Sequence, residues 1–173
     1  AAIQAVSEDE GWVVGTGGVV LSTTNGGERW QRVAISTTQD LRALHFLSGT
    51  TGWVGGDLGR VYYTENAGAD WTLQGLPARI GGSGTIRGIS FFDAHTGWAV
   101  GDAGLIVYTN NGGRTWSDQQ CGPLHDFQDV AADEFGTNVW AVASDGRVCE
   151  TSDAGVTWTD SGSYNRGLTA APL

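Results

Sequence analysis

The eight tryptophans of this 173-residue chain fall into two sets of four with a fixed relationship between the sets. Within the first set the members follow one another by 41, 45 and 42 residues, and each is followed 18 residues later by a member of the second set. The first set is Trp12, Trp53, Trp98 and Trp140, and the second is Trp30, Trp71, Trp116 and Trp158. A period of this length indicates tandem copies of one supersecondary unit, which bury a core only by stacking on one another.

Each copy contains short apolar runs that end at turns rich in glycine and aspartate. In the second copy these runs are residues 41–46, residues 52–56 and a run from Val61, and a fourth strand is expected to start at Trp71. Four short antiparallel strands per unit, without helical periodicity, are typical of a propeller blade. The sequence therefore predicts an all-β fold, a β-propeller of four-stranded antiparallel blades.

The chain, residues 1–173, is predicted to form a single propeller or partial-propeller domain. We expect repeat units at residues 1–38, 39–83, 84–124 and 125–165, and residues 166–173 restart the pattern as the beginning of a fifth unit. An open arc of four blades would leave strand edges and apolar blade faces uncovered. We therefore expect a covering partner or self-association into a closed ring, such as a two-fold pair with eight blades.

A second motif closes on the second tryptophan of each unit. Residues 23–30, 64–71, 109–116 and 151–158 fit the Asp-box pattern Ser/Thr-x-Asp/Asn-x-Gly-x-Thr-Trp. The Asn or Asp accepts backbone hydrogen bonds, the Gly supplies a positive φ and the Trp packs under the hairpin. These structural residues are Asn25, Gly27, Trp30, Asn66, Gly68, Trp71, Asn111, Gly113, Trp116, Asp153, Gly155 and Trp158. Arg29 and Asp70 replace the Thr, so we expect their turns to lose one hydrogen bond.

Residues 97–104 (GWAVGDAG) and 108–116 (YTNNGGRTW) closely resemble the photosystem II stability/assembly-factor-like branch of the Asp-box, or BNR-type, repeat propellers. The resemblance covers essentially the whole chain. It implies an exported or lumenal propeller, usually seven-bladed, that binds protein partners and has no known catalytic chemistry. The same repeats occur in sialidases, xyloglucan-degrading glycosidases and sortilin-like receptors, so they identify a fold superfamily rather than one activity.

Composition excludes some classes of partner. With 19 acidic residues against nine basic ones the net charge is -10, which opposes binding to nucleic acid. The longest apolar runs are far shorter than the about 20 residues of a membrane span. Cys121 and Cys149 fit either one disulfide, which suits an exported periplasmic, lumenal or extracellular compartment, or two buried free thiols. No ligand spacing for a metal is present, and no cofactor is expected.

An enzymatic role would require a pair of carboxylates, as in glycoside hydrolysis. Asp57 and Asp102 lie at equivalent turns of neighbouring units and are the candidates, although an Asp in such a turn also bonds its own backbone. A sialidase would need three arginines around a carboxylate site and a tyrosine nucleophile, which are not recognisable here. We therefore predict no enzyme and no catalytic residues.

The arginines are the candidates for binding. Arg42 and Arg87 occupy one position of the innermost strand in adjacent blades, where Gln4 and Gln128 are expected in the others, and Arg60 and Arg79 are expected to extend the patch. Arginine is favoured at interfaces for its planar, multi-donor head, and the alternative is ion pairing with nearby carboxylates.

Three functional hypotheses follow from these residues. The first is a non-enzymatic scaffold for protein binding or assembly. The alternative is a fragment of a carbohydrate-active propeller, a glycoside hydrolase or sialidase-like protein, for which carbohydrate would be the ligand. A further alternative is an engineered or excised repeat fragment that only assembles.

Overall fold

The computed structural model describes residues 1–77 and 84–163, which form sixteen strands in four antiparallel sheets, here called blades 1 to 4. Blade 1 contains β1 (Ala2–Ala5), β2 (Glu10–Gly15), β3 (Val19–Thr24) and β4 (Gln31–Val33). Blade 2 contains β5 (Leu41–Phe46), β6 (Gly52–Gly56), β7 (Arg60–Thr64) and β8 (Thr72–Leu73). Blade 3 contains β9 (Ile86–Phe91), β10 (Gly97–Gly101), β11 (Leu105–Thr109) and β12 (Ser117–Gln119). Blade 4 contains β13 (Phe127–Ala132), β14 (Val139–Ala143), β15 (Arg147–Thr151) and β16 (Thr159–Ser163).

Each blade is a four-stranded meander in which sequential strands are neighbours. The prediction of an all-β propeller built from four-stranded antiparallel blades is confirmed. The strands of each blade fall inside one of the four predicted repeat units, whose boundaries stay a prediction. The start of the fifth unit, residues 166–173, lies outside the described residues.

The blades pack on one another in chain order. The first strands β1, β5, β9 and β13 contact each other successively and form the inner side of the arc. Three apolar clusters fill the spaces between blades 1 and 2, blades 2 and 3, and blades 3 and 4. The core of this chain therefore lies between its repeats.

Aromatic stacking repeats at the first two of these interfaces. Trp12 of β2 stacks on Phe46 of β5 with ring centroids 4.2 Å apart, and Trp53 of β6 stacks on Phe91 of β9 at 3.6 Å. At the third interface Trp98 is fully buried in the apolar cluster that includes Ala132, which stands at the position of Phe46 and Phe91. In blades 1 and 2 the tryptophan of the second strand thus covers the end of the next blade's first strand.

Polar side chains on the first strands also reach the next blade. The amide of Gln4 donates to the carbonyl of Phe46 at 2.9 Å and accepts from its backbone N–H at 2.8 Å. His45 hydrogen-bonds the backbone of Phe91, and the hydroxyl of Ser90 accepts from the backbone N–H of Ala132 at 3.1 Å. These bonds fix the register between adjacent blades.

Candidate binding surface

Arg42 and Arg87 lie on β-bulges in the first strands of blades 2 and 3. Each pairing register skips one residue near the start of the strand, so that the arginine has no partner on the second strand. Gln128 has the same place in blade 4. A bulged residue bends its strand and changes the direction of its side chain. The three side chains therefore leave the regular alternation of the sheet at equivalent points.

Gln4 does not belong to this set, so its predicted equivalence with the arginines was wrong. Gln4 pairs with Trp12 in blade 1 as His45 pairs with Trp53 in blade 2. It therefore corresponds to His45, and its amide is occupied by the backbone of blade 2. The residue of blade 1 that is equivalent to Arg42 and Arg87 is Ala1, which precedes the first strand.

Each arginine is bound by a carboxylate from the turn after the second strand of its own blade. Arg42 donates from Nε to Asp57 at 2.7 Å and from Nη2 to Asp40 at 3.2 Å. Arg87 donates from Nε to Asp102 at 2.5 Å. About a third of each arginine side chain remains exposed. The ion pairs expected as the alternative interpretation are therefore present, and they hold both guanidinium groups at the surface.

The two ion pairs are close enough to influence one another. The hydrogen bond from Arg42 lowers the pKa of Asp57 against the opposing effect of desolvation, and the charge of Arg87 adds to the lowering. The pKa of Arg42 is raised, first by its hydrogen bond to Asp57 and in small part by the charge of Asp102. Arg42 and Arg87, with Asp57 and Asp102, thus form one electrostatic cluster, here called the arginine surface.

The arginine and the aspartate occur together or not at all along the repeat. Blades 2 and 3 have both, whereas blade 1 has Ala1 and Thr16 at these positions and blade 4 has Gln128 and Ser144. When the four blades are compared with one another, the residues at these two positions change together. This pattern is typical of residues that stabilise each other.

Of the other two predicted arginines, only Arg60 lies among the described residues. Arg60 at the start of β7 donates from Nη1 to the hydroxyl of Tyr62 at 3.4 Å and lies beside residues 35–39. Arg79 falls outside the described residues. The predicted extension of the patch by these two arginines therefore stays a proposal.

The Asp-boxes form four nearly identical turns. The Thr that opens each box accepts a hydrogen bond from the backbone N–H of the glycine four residues later, at 2.9–3.0 Å. The Asn or Asp accepts one from the backbone N–H four residues after it, at 2.8–3.0 Å. The glycines Gly27, Gly68, Gly113 and Gly155 have φ between 75° and 87°. These side-chain oxygens and backbone N–H groups find their hydrogen-bond partners within the same turn, so the motif needs no ligand to fold.

One detail of the second box contradicts the expectation from sequence. The amide of Asn66 donates to the carboxylate of Asp70 at 3.0 Å, as Asn111 donates to the hydroxyl of Thr115 at 2.7 Å in the third box. The prediction that the turn at Asp70 loses a hydrogen bond was wrong, because a carboxylate accepts a hydrogen bond as a hydroxyl does. Among the described residues, the first box has no such bond to Arg29.

Blade 4 carries features that the sequence reasoning left open or missed. Cys121, just after β12, is joined by a disulfide to Cys149 in β15, so the bridge connects blade 3 to blade 4. Near it Arg147 donates to Asp160 at 2.6 Å, and His125 lies 3.1 Å from Asp145. The backbone N–H of Gly162 is the first cause, and Arg147 a further one, of the lowered pKa of Asp160. Arg147 begins β15 as Arg60 begins β7, but the position of Asp160 is Leu73 in blade 2, so comparison of the repeats does not predict this ion pair.

Three further observations bear on ligands and on membranes. A polar groove of about 600 Å³ lies between the Asp-box turns of blades 2 and 3, away from the arginine surface, and its lining includes His95 and Arg114. In residues 1–77 and 84–163 no group of three or more His, Cys, Asp or Glu side chains could hold a metal ion. Within the same residues no helix is long and apolar enough to cross a membrane.

These features define the chain as an Asp-box repeat β-propeller with a charged inner-strand surface. The family model for Photosynthesis system II assembly factor YCF48 matches residues 2–88 and 80–166. The chain belongs to this family.

Solved structures share the fold at low sequence identity. The structure "YCF48 bound to D1 peptide" is similar with a TM-score of 0.61 and 13% identity, over 92% of this chain and 79% of that chain. An ancestral GH74 enzyme gives a TM-score of 0.75 and 17% identity, and the GH74 enzyme of Niastella koreensis gives 0.64 and 15%. The match covers 91% of this chain but only 23% of each GH74 enzyme. Among curated protein sequences none matches the chain.

Proposed function

We propose that this chain is a non-enzymatic protein-binding scaffold of the assembly-factor kind, which contacts its partner through the arginine surface. The observation that carries the proposal is the pair of bulged arginines in adjacent blades, each oriented by a carboxylate through Nε. Within the described residues Arg87 makes no hydrogen bond from Nη1 or Nη2, and Arg42 makes none from Nη1. These donors are available to the carboxylate or carbonyl oxygens of a peptide.

Membership of the assembly-factor family supports a protein partner rather than a carbohydrate. The similar structure "YCF48 bound to D1 peptide" supports a peptide as the kind of partner that this propeller would bind. The carboxylates that a glycosidase would use are occupied here. Asp57 and Asp102 both accept from arginine, and the lowered pKa of Asp57 keeps it ionised near neutral pH, where a general acid must carry a proton.

We further propose an exported compartment for this scaffold. The disulfide between Cys121 and Cys149 supports it, because disulfides form and persist in oxidising environments and are rare in reducing ones.

The proposal is tested by calorimetric titration of the chain with a D1 peptide, the ligand of the solved relative. The variant Arg42→Gln/Arg87→Gln removes both guanidinium groups, and Arg29→Gln/Arg32→Gln removes the same charge from the outer part of blade 1. A hydrogen bond to a charged group contributes about 1.5–3 kcal/mol, so we expect at least about tenfold weaker binding for the first variant. The second variant should bind like the wild type.

Two results would contradict the arginine surface as the binding site. Equal weakening by both variants would reduce the effect to net charge, and unchanged binding by Arg42→Gln/Arg87→Gln would remove the site assignment. Hydrolysis of a glycan panel that is abolished by Asp57→Asn would favour the carbohydrate-active alternative instead.

A further inference from the structure

A leucine beside the arginine surface has an unfavourable backbone conformation. Leu58 directly follows Asp57, and its φ of 61° lies in the left-handed region. Among the described residues it is the only one larger than alanine with a positive φ. The left-handed conformation brings Cβ close to the following carbonyl oxygen and costs free energy, which glycine avoids because it has no Cβ. Leucine is therefore an unusual residue in this turn.

The fold does not require a leucine at this position. The equivalent residues of blades 1 and 3 are Gly17 and Ala103, with φ of 65° and 57°, and blade 4 has Asp145 there. The side chain of Leu58 is also 39% exposed, so the core uses only part of it. Residues held in strained conformations occur preferentially at binding and catalytic sites. An interaction with a partner would account for this leucine.

A second exposed leucine lies at the equivalent turn of blade 3. Leu124, from the link between β12 and β13, is 74% exposed. It packs against Gly104, where a Cβ atom would come within 2.7 Å of Cδ2 of Leu124. Gly104 ends the turn that carries Asp102. In blade 1 the equivalent glycine, Gly18, faces the backbone of Thr37 instead. Each of the two ion pairs thus has an exposed leucine beside it, and the two leucines come from different places in the repeat.

We propose that Leu58 and Leu124 extend the arginine surface into an amphipathic site, which binds an acidic side chain of a protein partner together with the apolar side chains next to it. The available Nη groups of Arg42 and Arg87 donate to the carboxylate, and the leucines contact the apolar residues. Apolar contacts around such a hydrogen bond exclude water and strengthen it. This inference rests on the proposed function and adds the chemistry of the partner segment to it.

Calorimetric titration of the full chain with two synthetic peptides tests this inference. One peptide is acetyl-Gly-Leu-Leu-Glu-Leu-Leu-Gly-amide, and the other has serine in place of each leucine. We expect the wild type to bind the leucine peptide at least about tenfold more tightly, because partial burial of a leucine side chain favours binding by about this factor. Leu58→Ala, which introduces the residue of blade 3, and Leu124→Ala should each reduce this preference about threefold or more.

Three further variants show whether the effect belongs to this site. Leu47→Ala is the matched control, because Leu47 is 36% exposed but follows β5 at the end opposite to Arg42, and it should keep the preference of the wild type. Leu58→Met keeps an unbranched apolar side chain and should also keep the preference. Arg42→Gln/Arg87→Gln should weaken the binding of both peptides.

The outcomes separate the leucines from the arginines. Equal binding of the two peptides by the wild type, an unchanged preference in either leucine-to-alanine variant of the site, or an equal loss of preference in Leu47→Ala would overturn the inference and leave the arginine surface in place. A loss of preference in Leu58→Met as large as in Leu58→Ala would also overturn it. Unchanged affinity of both peptides for Arg42→Gln/Arg87→Gln, or no binding of either peptide by the wild type, would contradict the arginine surface and with it the extended site.

Discussion

The interior of the arc and its two ends are built from the same repeat but differ in what surrounds them. Trp116 of blade 3 is 7% exposed: it meets Phe91 of its own blade edge-on, with ring centroids 5.8 Å apart, and packs in the apolar cluster shared with Trp53 of blade 2. Trp30 closes the same motif in blade 1, with the same backbone hydrogen bonds to Thr23 and Asn25, yet it is 36% exposed and contacts no other blade among the described residues. The difference shows that a blade forms its own turns and ladders, whereas burial of its tryptophans is supplied by its neighbours.

The largest change in the free energy of unfolding is expected when these two tryptophans are replaced one at a time. Trp116→Ala should lower the free energy of unfolding by about 3–5 kcal/mol, because a well-packed aromatic side chain is lost from the core. Trp30→Ala should cost about 1–2 kcal/mol, since its indole is only partly removed from water. Urea unfolding of both variants at neutral pH measures the difference. Equal losses of free energy of unfolding in the two variants would show that the motif, and not the neighbouring blade, determines how much the tryptophan contributes to stability.

A disulfide distinguishes the two ends of the arc. Blade 4 is joined to blade 3 by Cys121 and Cys149, which lie 28 residues apart, whereas blade 1 contains no cysteine. Closing a loop of this length restricts the unfolded chain, so we expect Cys121→Ser/Cys149→Ser to lower the free energy of unfolding by about 2–4 kcal/mol. Amide hydrogen exchange of the variant should become faster first in blade 4.

The control for this prediction is reduction of the wild type. A reductant should bring the wild type to the stability of the double variant and leave the variant unchanged. Two reactive thiols in the unreduced, unfolded wild type would contradict the bridge and, with it, the argument for an exported compartment.

The smallest expected effect distinguishes the fourth Asp-box from the other three. Hydrogen bonds from Thr157, the largest cause, and from Thr151 lower the pKa of Asp153 from 3.8 to about 2. A lowered carboxyl pKa contributes stability that is present above the unfolded value and is lost as the pH falls through the folded value. The contribution of Asp153 should therefore disappear between about pH 4 and pH 2.

Asp153→Asn restores the residue type of Asn25, Asn66 and Asn111 at this position. It keeps the acceptor oxygen, so the free energy of unfolding at pH 7 should stay close to that of the wild type. The acid transition, followed by near-ultraviolet circular dichroism, should become shallower below about pH 4. Identical acid transitions for the two proteins would contradict the assignment.

The strands could be predicted from the sequence because their apolar runs and turn residues recur in every copy. The range Leu41–Phe46 of β5 coincides with its prediction. The bulges could not, because a bulge depends on how two strands pair rather than on the residue that bulges, and this caused the wrong placement of Gln4. Arg42 and Asp57 are 15 residues apart, as are Arg87 and Asp102, and this shared spacing would have predicted the ion pairs.

The hydrogen bonds between adjacent first strands have a consequence for how such chains diversify. Gln4, His45 and Ser90 are chemically different, yet each bonds the main chain of the following blade and not one of its side chains. Main-chain groups are present whatever residues the neighbour carries. A duplicated or transplanted blade therefore finds acceptable partners for these hydrogen bonds at once, so that this part of the contact between blades needs no matched side-chain change on the neighbour.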